Sequence, residues 1–579
     1  MRSIHDAGQT AGGKLGDNSK MAERNSFARQ FRLAVAAALL PLLAACAVPA
    51  PELRVAVELK LLAFNDFHGY LTPPFSGVLK PGSDPAGVRT LIPAGGIEYL
   101  ATLVTTLRTR NPRNALVSAG DLVGGSPLIS GSFDDEPTVE AMNRIGLDFN
   151  GVGNHEFDRG AAELQRLQNG GCAGGGCKSG TAFEGAQFRF LAANVVVRET
   201  GKAFFPAYGI KIFGDIKIAF VGATLQGTTN LVPAANIAGL AFIDEADAVN
   251  RLVPELRAQG VATIVVLLHQ GGAQRGGDYN SCEEFAGPVV DIARRLDPAV
   301  DVVVSGHTHQ AYICRLHGKL VTSAGSYGRL LTEIDLSIDP QSREVKAARA
   351  VNHVVATDLP KDPAMTDIVS RHAALAAPLE RRVVGRITEP IPPRPDANGE
   401  SALGKLIADA QLEATAAAGA VIAFMNPGGV RALLAYKGGG EITYGELFAV
   451  HPFGNTLVTM TLSGEQIVQI LEQQWLRERP RPLHVSRGFS YEWNGNAQPG
   501  QRVVPGSVTL NGEALARAAR YRVTVNNFLA DGSGGFPGFA QGDERVVGIT
   551  DIEAMIDYLR THSPISRDRG TRVRRVESR

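Results

Sequence analysis

Gly153-Asn154-His155-Glu156-Phe157-Asp158 is the stretch whose reading decides how this chain folds. It is one of five short blocks of metal-ligand residues in the first half of the chain, each placed at the end of an apolar run. The others are Asn65-Asp66-Phe67-His68-Gly69, Gly120-Asp121, His269 and Gly306-His307-Thr308-His309. The leading runs, 59–64, 115–118, 263–268 and 302–305, are short and rich in Val, Leu and Ile. Strands buried on both faces read this way, so an α/β arrangement with helices covering a sheet is expected. The ligands then fall on loops just past strand ends, where open α/β sheets place their sites.

Mixed imidazole and oxygen ligands suit Zn, Mn or Fe better than Ca or Mg. Two ions roughly 3.5–4 Å apart need a bridging carboxylate. Asp121 is the expected bridge, because it follows a strand and has glycines close by. One ion is assigned Asp66, His68 and His309, the other Asn154, His269 and His307. His307 and His309 alternate along an extended turn, so their two-residue spacing serves neighbouring ions. Five of the twelve histidines fall in these blocks. Each block alone has a plainer reading, as a turn or a core histidine; together and in this order they describe a two-metal hydrolase.

The blocks resemble the signature of calcineurin-like metallophosphatases. The Gly-Asn-His-Glu-Phe-Asp form, with a second domain behind it, looks like the bacterial 5′-nucleotidase/UDP-sugar hydrolase family over roughly residues 55–545. The resemblance implies a metallophosphatase β-sandwich flanked by helices, followed by an α+β substrate-binding domain. It also implies phosphate ester hydrolysis by a water that the metals activate. In that family the histidine of the Asn-His pair faces the leaving group, oriented by the aspartate three residues on, which maps to His155 and Asp158. A carboxylate beside an imidazole raises its pKa and fixes its ring. The plain alternative for Asp158 is the N-cap of a helix from Ala161.

Residues 33–45 are apolar, follow Arg24, Arg29 and Arg32, and are too short for a comfortable membrane span. They read as a secretory signal, and Leu43-Ala44-Ala45-Cys46 resembles a bacterial lipobox. An exported protein, lipid-anchored through Cys46 to the bacterial cell envelope, is expected. Four cysteines remain, an even number for an exported chain. Cys172 and Cys177 are expected to close a small ring in the glycine-rich loop 170–180, leaving Cys282 and Cys314 to pair. The other two pairings stay open.

With 58 basic and 58 acidic residues, no global field points to a nucleic acid polymer as partner. The motifs divide the chain into a signal at 1–45, a metal domain at 46–356, a helical connection at 357–385 and a second domain at 386–579. Helices are expected at 365–377, stopped by Pro378, at 403–418 and at 463–475, and a strand at 421–424.

Three blocks in the second domain resemble the family's nucleotide-binding half. Asn426-Pro427-Gly428-Gly429-Val430-Arg431 implies Asn426 and Arg431 as base or phosphate contacts. Pro452-Phe453-Gly454-Asn455 and Asn527-Phe528-Leu529-Ala530 imply Phe453 and Phe528 as the two faces of a base sandwich, with Asn455 beside it. Two departures stand out. Gly534 occupies the position of the family's ribose-binding aspartate, with Asp531 three residues away. The arginine some relatives carry before the second-domain helix has no counterpart, Arg394 being the nearest. Broad specificity is one expected consequence. The function expected is a two-metal phosphohydrolase acting on extracellular nucleotides, extending to UDP-sugars or 2′,3′-cyclic nucleotides. Its rivals are a phosphodiesterase or phosphomonoesterase without nucleoside specificity, and a nucleotide-binding lipoprotein with a vestigial site. The half-sites are remote in sequence, so a domain rotation is expected to bring Phe453 and Phe528 over the metals.

Overall fold

The structure is a computed structural model that describes residues 55–74, 77–79, 90–476 and 480–577. Residues 1–45, expected to be a signal, and Cys46, the expected lipid site, lie outside the described residues. Val57–Phe64 is the pivot of a six-stranded sheet, pairing parallel with Asn114–Ser118 and antiparallel with Leu330–Ile338. Phe149–Gly151 and Arg189–Leu191 continue the parallel run. A second six-stranded sheet holds Ile216–Ala223, Thr263–Leu268, Val300–Ser305 and Lys319–Ala324 as parallel neighbours.

The near-continuous apolar runs follow from where each face goes. Leu59, Leu61 and Ala63 enter a core shared with Phe220, Val265, Leu267 and Val302 of the other sheet. The alternate residues Leu62 and Phe64 pack under helix Ile97–Thr109 through Leu100, Val104 and Leu107. On the far side, Ile264, Val266 and Leu268 pack with Val249, Leu256 and Ile292. Successive side chains point to opposite faces, so a strand between a second sheet and a helical layer has no polar face to show. The result is a β-sandwich flanked by helices, as the family resemblance implied.

The second domain is α+β. Its five-stranded sheet runs in the order His484–Val485, Ile422–Met425, Arg520–Asn526, Thr456–Ser463, Asp543–Thr550. Helix Gly464–Gln473 packs on one face through Ile467 and Ile470, and helix Ala402–Ala414 on the other through Leu403 and Ile407. Ser463 caps the former with Gln466 completing a capping box, and Glu465 lies in the first turn. The strand expected at 421–424 forms one residue later, at Ile422–Met425.

Other element boundaries differ from expectation by more. The helix expected at 403–418 ends at Ala414, and Ala416–Ala418 is a separate 3-10 turn. The connecting helix runs Pro363–Glu380, through Pro378. A proline that close to a helix end forfeits one hydrogen bond, and packing tolerates it there. Met365, Ile368 and Val369 of this helix join the core of the metal domain, so its first half is an extension of that domain rather than a free joint.

Both disulfides of the expected pairing form, Cys172–Cys177 and Cys282–Cys314, with Cα–Cα separations of 4.7 and 5.2 Å. The second ties a loop to strand Ala311–Leu316, which follows His309 directly.

Candidate active site

Five parallel strands deliver the ligand blocks from their C-terminal ends. Phe64 leads to Asp66 and His68, Ser118 to Asp121, Gly151 to Asn154, Leu268 to His269, and Ser305 to His307 and His309. Asp66, His68, Asp121, His307 and His309 all adopt positive φ, between 49° and 69°. Non-glycine residues rarely enter that region, and its cost concentrates at functional sites. The loops turn sharply enough to point successive ligands inward.

Ligand atoms of Asp66, His68 and His309 lie within 4.8 Å of one another, as do those of Asp121, His269 and His307. Asp121 Oδ2 stands 3.6 Å from His68 Nε2 and 3.0 Å from His269 Nε2, which places it between the two groups. Asp66 is steadied by Asn65 Nδ2 at 2.6 Å and by the His307 backbone N–H at 3.0 Å from each carboxylate oxygen. His68 Nδ1 sits 2.7 Å from the Gly124 carbonyl and His269 Nδ1 2.8 Å from the Ala119 carbonyl. Carbonyls only accept, so both rings donate from Nδ1 and turn the Nε2 lone pair inward.

Two observations test whether divalent ions fit. His269 Nε2 and the Asn154 Oδ1 are buried with no protein hydrogen-bond partner, at the point where a ligand is expected. Burial opposes charge on His269, yet Asp121, Asp66 and Glu156 around it raise its pKa to about 10. A buried pocket whose carboxylates draw positive charge so strongly suits a cation, and the donor set fits borderline divalent metals.

His155 lines the same site, its ring 4.9 Å from that of His68. Its Nδ1 donates to Asp158 Oδ2 at 2.8 Å. Burial opposes protonation of His155, but Asp158 and Asp121 prevail and its pKa rises. Asp158 does not cap the following helix: Gly160 holds the N-cap of Ala161–Asn169.

Glu156 was legible in the motif but had no role assigned. Its carboxylate accepts from the backbone N–H groups of Asp121, Leu122 and Gly153 and from Asn150 Nδ2, at 2.7–3.2 Å. It therefore pins the loop bearing Asp121 to the loop bearing Asn154.

The second domain closes the site. One cavity of about 540 Å³ is lined by Asp121, Asn154, His155, Asp158, His307 and His309 from the first domain, and by Asn426, Arg431, Phe453, Asn455 and Phe528 from the second. Phe453 stacks on His155 with centroids 5.7 Å apart and 16° between planes. The Arg431 guanidinium lies over the Phe453 ring, 5.7 Å from its centroid. The two half-sites already share one cavity here, so the expected domain rotation is not required to bring them together.

The departures are informative. Gly534 does line the cavity, with φ +71°, and a Cβ there would stand 2.9 Å from Phe528 Cε1. A side chain at that position would have to adopt the left-handed backbone and push the Phe528 ring aside, so glycine is what lets the ring sit where it does. Asp531 is not among the lining residues; it lies 3.9 Å from Arg545. Arg394 is exposed and likewise not in the lining, whereas Arg481, which the sequence reading did not single out, is. Asn526 was also missed: its Nδ2 donates to Asn426 Oδ1 at 2.9 Å and its Oδ1 caps the short helix carrying Phe528.

Residues 59–311 match the family described as calcineurin-like phosphoesterase, and residues 383–541 that described as 5′-nucleotidase, C-terminal domain. The chain is 31% identical over 526 residues to the endonuclease YhcR of Bacillus subtilis, covering 90% of this chain and 41% of that one. It is 31% identical over 546 residues to the cell wall protein Lmo0130 of Listeria monocytogenes, covering 87% and 67%. Among solved structures, a 5′-nucleotidase precursor from Thermus thermophilus matches with a TM-score of 0.73 and 28% identity, over 90% of this chain and all of that one. The chain thus spans less than half the length of the first of these relatives.

Proposed function

The chain belongs to the 5′-nucleotidase family of calcineurin-like phosphoesterases; on that premise we propose that it is a metal-dependent phosphoric ester hydrolase that releases phosphate from nucleotides, with the ester at the metal groups and the base against Phe453 and Phe528. The observation that carries this reading is the single cavity lined by both half-sites. Asp66, His68 and His309 would hold one ion, Asn154, His269 and His307 the other, with Asp121 shared. Ions bound there supply positive charge for the phosphoryl oxygens and lower the pKa of a water.

The chain's own residues do the rest. Asp158 takes the Nδ1 proton of His155 as a hydrogen bond, leaving Nε2 for the leaving oxygen. A proton held at Nε2 neutralises the charge that builds as the ester bond breaks. Phe453, stacked on His155, shields that proton from bulk water. Arg431 offers a planar fork to substrate oxygens.

UDP-sugars and 2′,3′-cyclic nucleotides fall within the proposed range. So does an exported, lipid-anchored location, supported by the 33–46 sequence and by a relative named a cell wall protein. The proposed division of labour follows the boundaries 46–356, 357–385 and 386–579. A second reading, a phosphoesterase with no nucleoside preference, draws on Gly534, which removes a ribose acceptor from the wall.

Asp121→Ala tests the central assignment. Loss of both bound metal, by elemental analysis, and AMP turnover is expected. A variant that keeps full turnover removes Asp121 from the site; a wild-type chain without turnover, whose Asp121→Ala variant keeps its nucleotide affinity, supports a binding protein instead.

A further inference from the structure

Behind the cavity lies a buried polar cluster that the hydrolysis does not use. The register that sets Thr456 opposite Thr550 brings the flanking residues Asn455 and Asp551 side by side. Asp551 donates its backbone N–H to the Asn455 carbonyl at 2.8 Å, and Asn455 Nδ2 donates to Asp551 Oδ2 at 3.4 Å. His451, at the other end of the Pro452-Phe453-Gly454 turn, places Nδ1 3.7 Å from the same carboxylate. Asp551 and His451 are each 1% exposed. Neither ring nitrogen of His451 nor Asp551 Oδ1 has a protein hydrogen-bond partner. Buried polar atoms left unpaired are costly. An aliphatic pair would pack here without that cost, so the carboxylate's contribution is to be sought in what it grips.

What it grips is the loop that carries the expected base platform. Asn455 is held by Asp551 through main chain and side chain together, and Asn455 ends the turn that also carries Phe453, both half-buried. We propose that Asp551 is a positioning residue for nucleoside recognition: it fixes Asn455, and through it the Phe453 turn, in the orientation that meets the base. The proposal rests on the nucleotide reading above and deepens it, by naming a residue outside the cavity that sets affinity for the nucleoside without touching the reacting phosphate. The acceptor, not the charge, is what the geometry uses, so asparagine at this position serves as well.

The test is steady-state kinetics of the full exported chain with Mn, using AMP and 4-nitrophenyl phosphate, and adenosine as inhibitor of the aryl reaction. For Asp551→Ala, KM for AMP and Ki for adenosine are expected to rise about tenfold. Its kcat on AMP, and kcat/KM on the aryl ester, should stay within about twofold of wild type. Asp551→Asn should restore wild-type KM and Ki. Aryl turnover reports that the metal domain is folded, and Asp551→Ser replaces Asp551→Ala if the latter does not accumulate. Unchanged adenosine affinity in Asp551→Ala or Asp551→Ser overturns the proposal while leaving the nucleotide reading intact. So does a fall in kcat on both esters with KM unmoved, the mark of a merely structural role. A wild-type chain that treats AMP and the aryl ester alike overturns the nucleotide reading first and the proposal with it.

Discussion

At the residue scale, the site depends on carboxylates that act through a neighbour. Asp158 touches His155 and fixes which nitrogen faces the cavity. Asp158→Asn should lower kcat by about 10²-fold, with metal content and KM near wild type, because acid–base assistance of this kind contributes at that level. Equal kcat would show that the His155–Asp158 contact is ornamental to turnover. Asp551 and His451 carry opposite linkage. Burial raises Asp551 to about 7 and lowers His451 to about 4. The folded state keeps the Asp551 proton that the unfolded chain gives up near the ordinary carboxylate pKa, so its contribution is lost as pH rises towards 7. The folded state refuses the His451 proton that the unfolded chain takes up below the ordinary histidine pKa, so that contribution is lost as pH falls towards 4. The two slopes oppose each other between roughly pH 4 and 6.5. Asp551→Asn removes one of them, so the variant should gain stability relative to wild type on going from pH 4.5 to 7.5, by on the order of a few kcal/mol. Urea denaturation at the two pH values reads this directly; a difference that does not change with pH would mean Asp551 titrates as it does in water.

At the scale of elements, the loops after the strands matter more than the strands. Glu156 joins two of them through four N–H donors, an arrangement no single ligand provides. Glu156→Gln keeps the size but replaces two acceptor oxygens by one, so metal affinity should fall about 10–100-fold, in line with losses at residues that orient ligands. A chelator titration of the bound metal checks it, and wild-type affinity would free Glu156 of that role. The strands themselves were legible, because Thr263–Leu268 and its neighbours are buried on both faces and read as unbroken apolar runs. The candidate ligands were legible because they follow those runs at once. Helix ends were less so. Pro378 looked like a stop, yet packing carries the helix on to Glu380. The plain alternative for Asp158, a helix cap, fails because the chain turns through Asp158–Gly160 before the helix starts.

At the scale of the whole molecule, what the sequence could not convey was which remote residues meet. Asn526, Arg481 and Asp551 carry no local signal; each acquires meaning only from a partner far along the chain, such as Asn426, 100 residues away. The meeting of Phe453 with His155 is of the same kind, and it makes the cavity a product of both domains. Residues 46–356 alone, if they fold, should then retain metal but lose the preference for nucleotides. The most direct measurement is the ratio of kcat/KM for AMP over 4-nitrophenyl phosphate, in the wild type and in Phe453→Ala. A stacked base contributes about 1–3 kcal/mol, so the wild-type ratio should exceed that of Phe453→Ala by about tenfold or more. A ratio near one in both proteins would contradict a base platform and leave a phosphoesterase whose second domain reads no nucleoside.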